Sequence, residues 1–282
     1  MPYKILEKTR LNSIIWKAVF SAPLVARAAQ CGQFVVIKID ERGERIPITI
    51  NDADPEKGTI TLIFQEVGTT TKKMGCLGEG DTVMDLLGPL GKPTGFRKIG
   101  KVVLVAGGVG IAEILPIAKY ATVNGNFVLT IVGSRTKELL IFENELKTYS
   151  DKLIVTTDDG SYGIKALVTG PLRDALTKEK FNLCYCVGPD IMMKAVSEVT
   201  KICKLKTLVS LDANMVDATG MCGTCRVSVG GKTQFVCVDG PEFDAHLVDW
   251  DLLLKRQKRF TEEEKHSFEL FQARHKECMY HV

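Results

Sequence analysis

Three cysteines crowd one short stretch of the chain, DANMVDATGMCGTCRVSVGGKTQFVC, residues 212–237. Cys222 and Cys225 form a C-x2-C pair in a Gly-rich turn, and Cys237 follows a run that reads as a hairpin. Thiolates are soft donors that hold zinc or iron–sulfur centres, and such centres take four ligands. Three thiols leave one place open. Asp217 sits five residues before Cys222 and offers a harder oxygen donor, while Cys203, Asp212 and Asp239 are the other candidates. A zinc knuckle brings a second close pair, which this stretch lacks, and His246 has no partner histidine near it.

A second chemistry lies in VVLVAGGVGIAEILPIAK, residues 102–119, where an apolar strand enters a glycine turn that opens a helix. Gly107, Gly108 and Gly110 permit a tight turn, and a helix N-terminus presents free N–H groups to a phosphate. The strict G-x-G-x-x-G is absent, because Glu113 stands in the last glycine place. A strand–helix turn of this kind can also serve packing alone. Weaker signals are Arg45, Pro47 and Thr49 in GERIPITI, and Gly68, Thr69 and Thr70 opening a short helix in VGTTTKKM. Arg45 read alone is equally a solvated charge on an edge strand. The turn CVGPDIMM brings Gly188 and Pro189 after a late strand.

These residues need elements to hold them, and the chain is long enough for two domains. It has 282 residues, 45% hydrophobic and 25% charged, with a net charge of +3. Nothing in that balance argues for a nucleic-acid or membrane surface. The N-terminal MPYKILEKTR lacks the apolar core of a signal peptide, so a cytoplasmic protein with reduced thiols is expected. Cys31, Cys76, Cys184, Cys186, Cys203 and Cys278 read as small buried hydrophobes.

Residues 1–98 break into short β-branched runs between Gly, Pro, Asn and Asp clusters, which predicts a small antiparallel barrel. From 99 to 206, compact apolar strands alternate with helical patterns near 111–123, 137–148, 164–178 and 190–203, which predicts an α/β domain with a mostly parallel sheet. The cysteine loop occupies 207–240. The tail, 241–282, is helical and charge-rich, and its Trp250, Leu253, Phe268 and Phe271 need burial on this chain or on a partner.

Taken in chain order, R-x-P-x-T at 45–49, G-T at 68–69, GPLG at 88–91, GGVG at 107–110, GSR at 133–135 and GPDIMM at 188–193 make a pattern. Over about residues 3–203 the sequence resembles the ferredoxin–NADP reductase superfamily. That resemblance implies a barrel that holds FAD and an α/β domain that holds NAD(H), with hydride passing between stacked rings. It assigns Arg45, Pro47, Thr49, Ile50, Gly68, Thr69 and Thr70 to the flavin and its phosphates. It assigns Gly107, Gly108, Gly110, Gly133, Ser134 and Arg135, with Gly188 and Pro189, to the nicotinamide dinucleotide. Two departures stand out: Val187 replaces a cysteine common before the late Gly-Pro, and Glu113 replaces a proline common after the GGxG turn.

Within the superfamily the sequence is most similar to chains that append a [2Fe–2S] loop. These are the electron-transfer subunits of dihydroorotate dehydrogenase and the small subunits of NADH-dependent reduced ferredoxin:NADP oxidoreductases. The second likeness implies Asp217, Cys222, Cys225 and Cys237 as ligands, in the pattern D-x4-C-x2-C-x11-C. It also implies a hetero-oligomer with a large flavoprotein/iron–sulfur subunit. No general acid–base pair is evident. A dihydroorotate dehydrogenase electron-transfer subunit and a zinc-bearing dinucleotide-binding regulator are the alternatives.

Overall fold

The computed structural model describes residues 3–274. Its first part contains β1 (Tyr3–Arg10), β2 (Ile15–Ser21), α1 (Pro23–Ala28), β3 (Phe34–Lys38), β4 (Arg45–Asp54), β5 (Thr59–Gln65), α2 (Thr69–Cys76), β6 (Thr82–Val83) and β7 (Asp85–Leu90). The strands pair antiparallel in the order β6-β1-β2-β5-β4-β3-β7. This near-closed sheet wraps a core of Ile5, Phe20, Val35, Ile37, Ile60, Leu62 and Phe64. Alternation explains it, since every second residue of a strand turns inward and carries an apolar side chain there.

The second part holds β8 (Lys101–Gly107), α3 (Gly110–Val123), β9 (Phe127–Ser134), α4 (Glu143–Thr148), β10 (Lys152–Thr157), β11 (Ile164–Lys165), α5 (Thr169–Lys178), β12 (Leu183–Val187), α6 (Asp190–Ile202) and β13 (Thr207–Ser210). β8 is buried from its second residue onward and β12 throughout, as a parallel sheet covered on both faces requires. Ile111, Ile114 and Ile117 of α3 press on one face, and Met193, Val196 and Val199 of α6 on the other.

Three local readings of the sequence shift in the structure. Residues 137–148 are a 3-10 turn and α4, interrupted where Phe142 takes a left-handed backbone with φ 57°. The helix expected from 164 begins at Thr169, after the short strand β11. The parallel sheet also continues past residue 206, because β13 pairs with β12.

The third part is β14 (Arg226–Val229), β15 (Lys232–Phe235), α7 (Val236–Asp239), β16 (Glu242–Asp244), α8 (Trp250–Gln257) and α9 (Thr261–Arg274). β16 pairs antiparallel with β13, so the cysteine segment is sewn onto the edge of the nucleotide sheet. Of the tail's apolar residues, Trp250, Leu253 and Phe271 are buried on this chain and Phe268 is half-buried, while Leu252, Phe260 and Leu270 remain exposed. α9 packs on α2, and Ser267 and Thr69 share a hydroxyl–hydroxyl hydrogen bond of 3.2 Å. Among the expected buried thiols, Cys184 and Cys186 are buried and Cys31 and Cys76 partly so. Cys203 is exposed, since it follows the last turn of α6, where the chain meets solvent. Cys278 lies outside the described residues.

Candidate electron-transfer site

The glycines of the second domain converge at the carboxyl ends of β8, β9 and β12. Gly107 lies opposite Gly133 in the β8–β9 pairing, and the Gly108 N–H donates to the Gly133 carbonyl at 3.0 Å. Their roles differ. A Cβ on Gly110 would lie 2.7 Å from the Val187 carbonyl oxygen, and one on Gly133 would lie 2.6 Å from Val168 Cγ1, so both are packing glycines. Gly108 has φ +59° and nothing within 4 Å of where its Cβ would be. That bare backbone at the entrance of α3 suits a pyrophosphate. Ser134 is buried and donates to the Thr136 carbonyl at 2.6 Å, whereas Arg135 is exposed. Gly188 sits against Gly107, and Pro189 caps α6. Cys186 is fully buried in the core, so no thiol reaches this turn.

The barrel supplies the facing wall. On β4, Arg45, Pro47 and Thr49 share one face, while Ile48 and Ile50 turn into the core; Ile50 therefore packs the barrel with its side chain. Arg45 Nη2 stands 3.6 Å from Asp85 Oδ2 with both groups partly open to solvent. α2 opens at Gly68, where no atom lies within 4 Å of a would-be Cβ, a second bare cradle at a helix N-terminus. Thr71 organises that end, its hydroxyl accepting from the Val67 and Gly68 N–H groups at 3.0 Å. Thr70 is buried beneath it and Thr69 faces α9. These two cradles fit FAD on the barrel side and NAD(H) on the α/β side.

The two walls are tied to each other. Thr49 donates its hydroxyl proton to Glu113 Oε2 at 2.9 Å, and Asn51 Nδ2 donates to the Ala112 carbonyl at 2.7 Å. β4 thus grips the first turn of α3. Burial pushes the Glu113 carboxyl up to about 7, the charge of Asp212 adding to the push. Asp212 has an outer face in solvent but is otherwise crowded by protein. That crowding, with the charge of Asp190, lifts it to about 6. In the sequence Glu113 stands out as a departure from a glycine place and from a common proline, with no bonding partner in view. An acid in the first turn of a helix was the available signal.

A second pin joins all three parts. Thr94, just past the barrel, and Tyr185 of β12 both donate to Glu242 Oε1 of β16, at 2.6 and 3.0 Å. Burial raises the Glu242 carboxyl.

The cysteine loop is built by left-handed turns at Ala218, Gly220 and Gly223, with φ of 61°, 85° and 66°. The β14–β15 hairpin pairs Arg226 with Phe235 and so returns the chain to Cys225. Cys225 and Cys237 are buried with their sulfurs 3.2 Å apart. Burial, and then Cys225 beside it, push the Cys237 thiol up to about 12. Cys222 is exposed, its thiol pushed down chiefly by the Thr224 hydroxyl.

Asp217 Oδ1 accepts from the Thr219 N–H at 3.0 Å and Oδ2 from the Cys222 N–H at 2.8 Å, which keeps its carboxyl ionised below the usual range. Asp217 therefore caps the turn that carries Cys222. Of the other donors, Asp239 likewise accepts a backbone bond, from the Phe235 N–H at 2.8 Å, and Cys203 ends α6, outside the loop. His246 Nε2 is 3.0 Å from Thr200 Oγ1, on the α6 side of the sheet edge. Among the described residues no three acidic, histidine or cysteine side chains converge as a closed metal group. Two thiols in contact, an ionised carboxylate and an acidified thiol one turn away fit an iron–sulfur cluster in kind and order.

Residues 212–249 match the family model for the iron-sulfur cluster binding domain of dihydroorotate dehydrogenase B. A Thermotoga maritima protein, a homolog of the dihydroorotate dehydrogenase B (NAD(+)) electron transfer subunit, is 46% identical over 95% of each chain. The chain belongs to this family of electron-transfer subunits. A solved structure of the NADH-dependent reduced ferredoxin-NADP oxidoreductase, from work on flavin-based electron bifurcation, aligns with TM-score 0.91 and 45% identity. That match covers 96% of this chain and 98% of the other. A cytochrome P450 reductase from Amycolatopsis, at 20% identity and TM-score 0.60 over 71% of this chain and 65% of that one, shares the fold. The family member described here is an oxidoreductase subunit of the flavin and iron–sulfur electron-transfer type, with FAD, NAD(H) and an iron–sulfur cluster as cofactors. A subunit of this kind works with a partner subunit. No helix among the described residues is long and apolar enough to cross a membrane.

Proposed function

We propose that the chain is the small subunit of an NADH-dependent ferredoxin:NADP oxidoreductase. In this reading it exchanges hydride with NAD(H) at FAD and relays single electrons through a [2Fe–2S] cluster to a large flavoprotein/iron–sulfur subunit. Bound in the barrel, FAD supplies the step from a two-electron hydride to the single electrons that a cluster accepts. The chain's own residues hold the geometry. Gly108 receives the dinucleotide phosphates at the N-terminus of α3, and Gly107 and Gly110 let that turn pack closely against its neighbours. Arg45, Pro47, Thr49 and the Gly68–Thr70 turn receive the flavin. The Thr49–Glu113 and Asn51–Ala112 bonds set the distance between the two walls and keep it constant. Asp217, Cys222, Cys225 and Cys237 are the four ligands.

The observation that carries this reading is the whole-length match to the ferredoxin-NADP oxidoreductase structure, at TM-score 0.91 and 45% identity. Anaerobic purification from the source cell tests it. FAD, iron and sulfide should accompany the chain together with a larger flavoprotein, and NADH should bleach the flavin absorbance. A chain without flavin or iron–sulfur absorption would overturn it. The family model over residues 212–249 favours a second reading, a dihydroorotate dehydrogenase electron-transfer subunit. Co-purification with an orotate-forming partner would select that one. One zinc per chain with no iron or sulfide would select the dinucleotide-binding regulator.

A further inference from the structure

Two arginines from different elements close on the backbone between the paired cysteines. Arg226, at the start of β14, donates from Nη1 to the Gly223 carbonyl at 3.0 Å. Arg256, on α8, donates from Nη2 to the Thr224 carbonyl at 3.0 Å. Gly223 and Thr224 are the two residues between Cys222 and Cys225. Arg259 joins them around one small pocket shared with Asn214, Leu253 and Phe260.

Arg256 is presented by a stiff support. Asp249 caps α8 by accepting from the Leu252 N–H at 3.0 Å, Trp250 donates Nε1 to the Ala245 carbonyl at 3.0 Å, and Trp250 and Leu253 are buried. The three guanidiniums meet carbonyl oxygens and the Phe260 ring, 5.5 Å from Arg259. Gathering like charges costs free energy unless a negative group faces them. Burial and the neighbouring arginines push Arg256 down, and Cys225 nearby opposes that push.

We infer that Arg256, with Arg226, is a positioning residue of the cluster site: it clamps the C-x2-C turn and sets positive charge against the cluster, raising its reduction potential. This rests on the proposed [2Fe–2S] site. Reduction adds one negative charge, so a fixed cation nearby stabilises the reduced form.

The test is made on the purified assembly with Arg256→Met and Arg256→Lys, reading iron and sulfide content, the EPR spectrum and an EPR-monitored redox titration. Arg256→Met should make reduction at least tenfold less favourable, about 59 mV for one electron. Arg256→Lys keeps the charge and should restore at least half of that shift. Loss of iron in the Met variant with retention in the Lys variant would support the clamp by rescue. A Met variant with its cluster intact and a reduction equilibrium less than tenfold from wild type would overturn the inference. Equal loss of the cluster in both variants would overturn it too, since the role would then be folding alone. Absence of a cluster from the wild-type assembly would instead refute the proposed function.

Discussion

Glu113→Gln isolates the carboxyl that joins the flavin strand to the dinucleotide helix. Gln keeps an oxygen for the Thr49 hydroxyl, 2.9 Å away in the native chain, and removes only the titration. The carboxyl is raised from 4.5 to about 7, chiefly by burial. That shift corresponds to roughly 3 kcal/mol at 1.36 kcal/mol per pH unit, an upper bound because the side chain is only partly buried. The folded chain prefers the neutral acid, while the unfolded chain ionises from pH 4.5 upward. Wild-type stability attributable to this group is therefore full below pH 4.5 and is lost as pH rises through about 7. Asp212, lifted to about 6, titrates in the same window, and the Tyr185 phenol also feels Glu113, so the difference between wild type and variant is the proper readout. Urea denaturation of FAD-loaded protein from pH 4 to 8.5 should show the two chains alike at the acid end. Gln should be more stable above pH 7.5, by up to about 3 kcal/mol. Two stability curves that run parallel across the whole range would refute the account of a half-buried, neutral Glu113.

Gly108→Ala and Gly110→Ala should separate binding from folding. The first places a methyl in open space at φ +59° and should weaken NAD(H) binding at least tenfold for about 1 kcal/mol of stability. The second drives a methyl to 2.7 Å from the Val187 carbonyl oxygen and should cost about 1–3 kcal/mol by thermal melting. Asp217→Cys should retain a [2Fe–2S] centre with a shifted potential and a changed EPR spectrum, because thiolate replaces a harder oxygen; identical spectra and potentials would mean that Asp217 only caps its turn. Trp250→Ala empties a buried indole site and should cost about 3–5 kcal/mol in urea denaturation.

Where an element carried its own period, the sequence was enough. The strands β1 to β3, β8 and β12 and the helices α3 and α6 follow from alternation, continuous apolar runs and 3.6-residue spacing. The cysteine spacing and the glycine turn of α3 were equally plain. What stayed hidden depends on contacts between distant segments. β13 and β16 are four and three residues long, too short to show a period, and exist because β13 pairs with β12 and β16 with β13 at the sheet's edge. Phe142 breaks a helical pattern through a backbone conformation that no composition rule anticipates. Glu113 gains meaning only when Thr49 arrives from 64 residues away, and the same is true of Glu242, Thr94 and Tyr185. The glycines illustrate the point from the other side: Gly108 and Gly110 look alike in sequence, and only the neighbours show which one leaves room for a ligand.

α9 rests on α2, with Ser267 meeting Thr69 beside the bare backbone at Gly68. During synthesis the barrel leaves the ribosome long before that cover is made. The growing chain thus presents the N-terminus of α2 uncovered, and the finished chain presents it with a helix alongside. A chain that lacked α9 would leave that end of α2 without its neighbour.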